Sequence, residues 1–76
     1  MSTSKLADVE VTVLHQTAMA VRVTATGDEK DAVWVPKNHA EFCDSKADYT
    51  PFDRLKPKTV YLLTLPEWLA LEKGLI

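Results

Sequence analysis

The chain has 76 residues, 46% of them apolar, with nine basic and eleven acidic side chains and a net charge of −2. That length holds one small core, the apolar share excludes a disordered chain, and the missing basic excess argues against a general nucleic-acid binder. The single cysteine allows no internal disulfide, so closure rests on packing and a reducing, cytoplasmic setting is expected.

The opening "MSTSKLADVE" lacks the apolar stretch of a signal peptide, and residues 1–7 read as a frayed tail on one domain spanning 1–76. No apolar run approaches the roughly 20 residues that cross a bilayer, so no membrane partner is expected. From Asp8 to Thr17, Val9, Val11 and Val13 alternate with Glu10 and Thr12, the mark of a half-buried strand. A second strand places Met19, Val21 and Val23 on one face and Arg22 and Thr24 on the other. Gly27 and Asp28 supply a turn, and "AVWVP" follows as a third strand stopped by Pro36. Short links make these three an antiparallel meander.

Beyond Pro36, Asn38 is a good N-cap with Glu41 three residues on, so Ala40, Phe42 and Cys43 are expected in one or two helical turns. The stretch 43–58 reads as an inserted loop rich in charge, held down by Tyr49, Phe52 and Leu55. "TVYLLTL" is the most strand-prone segment and, being apolar on both faces, is expected at the centre of the sheet. In the closing "LPEWLALEKGLI", Pro66 and Glu67 suit the first turn of a helix, Lys73 its last, and Gly74 a left-handed stop. Trp68, Leu69 and Leu71 are expected to face the sheet as a lid, with Trp34 covered beneath Trp68. The predicted fold is α+β and β-rich: a four-stranded, mostly antiparallel sheet with a short C-terminal helix packed on it, a barrel-like curl being one form it can take.

No nucleotide, oxyanion or hydrolase motif occurs, and catalysis is not expected. His39 and Cys43, four apart, would share a helical face as two ligands of a zinc clip, but a structural site wants four ligands. A structural cysteine is the stronger reading, so no metal or cofactor is expected. Glu41, Asp44, Asp48 and Asp53 crowd one segment with Tyr49 and Phe52. They make either a solvated loop or an acidic docking surface for a basic groove. Arg22, Lys37, Arg54, Lys56 and Lys58, with Trp34 as a stacking platform, form the alternative set, able to hold a nucleic acid.

Two segments carry a family resemblance. "VWVPK" at 33–37 and Pro66 to Leu75, with Leu71 at a variable place, resemble short proteins of phages and phage-derived genome islands that end in Pro-Glu-Trp-Leu-Ala-x-Glu-Lys-Gly-Leu. Residues 43–58 are longer than the usual connection in that family, which puts a special role there. The resemblance extends in size, charge and context to anti-CRISPR inhibitors, which bind host effector complexes and block them. It implies a host protein or protein–nucleic acid complex, such as a CRISPR effector, as partner. The small nucleic-acid-binding barrel is the alternative.

Overall fold

The computed structural model describes residues 5–44, 46 and 48–76. Among these described residues, six strands form one sheet: β1 (Leu6–Gln16), β2 (Ala20–Thr24), β3 (Val33–Pro36), β4 (Glu41–Cys43), β5 (Tyr49–Thr50) and β6 (Thr59–Pro66). Their order is β3-β2-β1-β6-β4-β5, and every neighbouring pair is antiparallel. Helix α1 (Glu67–Glu72) follows β6 directly. The expected β-rich α+β class holds, but the sheet has six strands rather than four and does not close into a barrel.

The sheet is nevertheless strongly coiled. Pro36 ends β3 opposite Ala20, near the Gln16 end of β1, while Glu41 opens β4 opposite Thr64, which itself lies opposite Asp8. On a flat sheet those two points would be about 30 Å apart, given the usual strand spacing and rise. The five steps from Pro36 to Glu41 reach at most about 18 Å. Coiling of the sheet supplies the difference, as right-handed twist accumulates over adjacent strands.

The meander forms as the alternation of valines predicts. Val9, Val11, Val13, Val21, Val23 and Val35 all point into the core. Met19 leaves this pattern: β2 begins at Ala20, and Met19 sits exposed in the β1–β2 turn, where the Thr17 hydroxyl accepts from the Met19 and Ala20 amides. The register slips between Val13 and His15, so Leu14 is an extra residue that keeps both ends of β1 correctly faced. Between β2 and β3, Gly27 takes φ +86 and Asp28 caps a 3₁₀ turn by accepting from the Lys30 amide.

Residues 41–43 are a strand, not the expected helical turn. Phe42 lies opposite Leu63 of β6 and is fully buried, its ring meeting Phe52 at 6.1 Å and Tyr61 at 6.3 Å between centroids. Burying that ring stabilises the fold by about 2–3 kcal/mol, whereas a helix of one turn is marginal by itself. Asn38 lies instead in a 3₁₀ turn, Lys37–His39, that carries the chain across to β4. In 43–58, β4 and β5 pair as a hairpin and a 3₁₀ turn, Phe52–Arg54, presses Leu55 into the core. Lys58 adopts φ +60 at the entry to β6.

At the other end, Leu6 and Ala7 pair with Pro66 and Leu65, so β1 begins within the stretch expected to fray. Residues 1–4 of that tail lie outside the described residues. Among the described residues, no helix is long and apolar enough to cross a membrane.

Helix α1 ends as its sequence predicts. Gly74 takes φ +74, its amide donates to the Leu71 carbonyl and the Leu75 amide donates to that of Ala70. These are the two bonds of a left-handed helix stop. The buried face of α1 is Leu69 and Ala70, however. Trp68 and Leu71 point outward, so the tryptophan lid is corrected: Trp68 is 51% exposed and lies edge-on to His39 instead of covering Trp34.

Candidate functional site

The inner face of β6 is Tyr61, Leu63 and Leu65, all buried, and its outer face is Val60, Leu62 and Thr64. Nothing covers that outer face among the described residues: Val60 is 51% and Leu62 37% exposed. β6 lies inside the sheet between β1 and β4 and has apolar side chains on each face to cover. A short helix and one loop close only one.

Register decides what surrounds those two apolar residues. Across β6, Glu10 and Cys43 flank Leu62, Asp8 and Glu41 flank Thr64, and Thr12 lies beside Val60. Asp8 and Glu10 stand about 7 Å apart along β1, and Glu41 about 10 Å from Asp8 across the sheet. The Thr64 hydroxyl donates to Asp8 Oδ1 at 2.7 Å, which fixes that carboxylate at the surface. Tyr49 of β5 continues the face opposite Cys43. A pocket of about 430 Å³ opens at its lower end, lined by Leu6, His39, Glu41, Tyr49 and Thr64 among others. Three carboxylates thus cluster at Leu62 and Thr64, and exposed Val60 extends the apolar strip beyond them.

The acidic and aromatic residues marked in the sequence divide over this geometry. Glu41 and Tyr49 belong to the face. Asp44 is spent on the β4–β5 turn, where its Oδ1 accepts from the Lys46 and Asp48 amides at 2.9 and 3.0 Å. Asp48 closes the same turn through its carbonyl, which accepts from the Asp44 amide, and stays exposed beside the face. Phe52 is half-buried on the other side, against Phe42, and Asp53 sits exposed in the 3₁₀ turn. Asp8, Glu10, Val60 and Leu62 went unmarked as site residues. The alternation of β1 put Glu10 on an outer face, but only the β1–β6 pairing sets it beside Leu62.

The basic set divides as well. Arg22 and Trp34 are cross-strand partners on β2 and β3, and His15 meets the Trp34 ring edge-on at 6.3 Å. Lys37 follows β3 and lays its Nζ 5.2 Å over the Phe52 ring. Arg54, Lys56 and Lys58 are exposed on the segment bound to the far end of β1, where Gln16 Nε2 donates to the Phe52 carbonyl and the Lys58 amide to that of Val13. His39 and Cys43 lie in a turn and a strand, not on one helical face, and among the described residues no three His, Cys, Asp or Glu are grouped to hold a metal. Comparison with known proteins finds no matching family model, no matching curated protein and no matching solved structure.

Proposed function

We propose that the protein is a non-catalytic protein-binding module whose acidic sheet face docks on a basic surface of a host protein or protein–nucleic acid complex. The observation that carries this reading is Glu10 beside exposed Leu62, with Asp8 and Glu41 on either side of the adjoining Thr64. Carboxylates on a fixed sheet steer a basic partner into contact, and the apolar centre holds it after arrival. The concrete form is a phage or prophage inhibitor working in the bacterial cytoplasm. It occludes a host defence complex such as a CRISPR–Cas effector at a surface that normally meets nucleic acid.

The nucleic-acid-binding alternative draws on the Arg22–Trp34 pair. It is the weaker reading because the chain carries a net charge of −2, and gripping a phosphate backbone calls for a basic excess.

The test is plating efficiency of a CRISPR-targeted phage on bacteria with an active CRISPR–Cas system. Expression of the parent should restore plaques, and Glu10→Lys with Glu41→Lys should abolish the restoration while leaving the melting temperature unchanged. Equal restoration by parent and variant would contradict docking through this face. Binding of a free oligonucleotide with a steep salt dependence would favour the alternative.

A further inference from the structure

A groove of about 770 Å³ runs beside β3, walled by Ala18, Met19, Trp34, Pro36 and Phe52, with Lys37 at its rim. We propose that it is a second docking site of the same module, taking an extended apolar segment of a partner protein that carries one carboxylate; this rests on the protein-binding reading above.

Three features select that occupant. The first is shape and chemistry. The walls are aliphatic and aromatic, and Met19, 78% exposed, lies at the tip of a hairpin where it can repack around a guest. Trp34 is 41% exposed and turns apolar surface to the groove, with His15 meeting its ring edge-on.

The second is charge. The chain has more acids than bases, yet no acidic residue lines the groove among the described residues. Lys37 holds its ammonium over the Phe52 ring, and Arg22, next to Trp34 in the register, donates from its guanidinium to the Glu29 carbonyl at 3.3 Å. Among the described residues that line the groove, Lys37 alone carries a positive charge, which matches one carboxylate and falls short of a polyphosphate.

The third is the sheet edge. β3 is an outermost strand, and the Lys37 amide donates to the Met19 carbonyl. In an antiparallel ladder this alternation turns the Val33 and Val35 amides toward β2 and leaves the Trp34 N–H and C=O facing outward. An extended guest can therefore make a two-bond pair with Trp34 at the groove wall. Pro36, the next outward residue, has no N–H, so the ladder stops there and longer strand addition is blocked.

The experiment selects a random peptide display library on a Trp68→Phe protein, in which Trp34 is the only tryptophan, and titrates the enriched peptides by Trp34 emission. The expected consensus has apolar residues flanking one Asp or Glu. Lys37→Gln, or Gln in place of the peptide acid, should weaken binding about 5- to 10-fold. Met19→Asp should remove it, and Glu10→Lys with Glu41→Lys should leave it unchanged. Three results would overturn the proposal: no enrichment above a Met19→Asp control, a consensus without an acid, or displacement of the peptides by an oligothymidylate. If the groove fails while the charge reversal still abolishes plaque restoration, only the groove assignment falls. If both fail, the protein-binding reading falls with it.

Discussion

Phe42 and Trp68 show how burial ranks two aromatic residues whose sequence surroundings suggest the opposite order. Trp68 sits in the most distinctive motif of the chain, yet half its surface is exposed and His39 is its aromatic neighbour. Phe42, in a stretch without visible period, is fully buried between Phe52 and Tyr61. Trp68→Ala should therefore cost about 1 kcal/mol or less and leave a cooperative urea transition, while Phe42→Ala should cost about 3–5 kcal/mol and leave the chain largely unfolded. Equal midpoints for the two variants would contradict this ranking. Sequence alone misplaces Trp68 because a six-residue helix has two apolar sides here. Trp68 and Leu71 share one, Leu69 and Ala70 the other, and only the packing of α1 on the sheet decides between them. Gly74 was legible because its reason is local. With φ +74, Gly74→Ala should lower stability by about 1 kcal/mol in the same urea titration, although a Cβ there would meet no other atom.

Among the elements, β1, β2, β3, β6 and α1 announce themselves, because alternating valines, a β-branched run and a helix stop are local signals. Strands β4 and β5 do not. With three and two residues they have no measurable period; β4 takes its register from β6, which follows it in the chain, and β5 takes its register from β4. Their turn depends on Asp44, whose carboxylate accepts two backbone amides. Asp44→Ala should cost about 1–2 kcal/mol and speed hydrogen exchange at the Lys46 and Asp48 amides. Asp44→Asn keeps an oxygen at that position and should retain nearly the parent's stability and protection. Similar losses in both variants would show that charge, not the accepting oxygen, holds the turn. Charge in this hairpin was visible from the sequence, but its division of labour was not. Asp44 builds the turn and Glu41 faces outward from the sheet.

At the scale of the whole molecule, alternation along the chain announced a small β-rich fold with a C-terminal helix, while the strand order stayed hidden. Alternation says which residues of one strand share a face but not which strand lies beside it. The β1–β6 pairing is what carries Asp8 and Glu10 to Leu62 and Thr64, and the β6–β4 pairing brings Glu41. The resulting face is acidic, with an apolar centre, and its pocket adjoins the groove at Trp34 through Lys37 and Asn38. Exposed charges of this kind add little to folding, on the order of 0–1 kcal/mol each, so reversing them separates binding from stability. The most direct measurement is affinity capture from a host lysate with two baits, the parent and the Glu10→Lys, Glu41→Lys, Leu62→Asp variant, each confirmed folded by its melt. The account predicts one stoichiometric partner with a basic surface on the parent bait and its loss from the variant. The same partner on both baits, in equal amount, would contradict docking through the acidic sheet face.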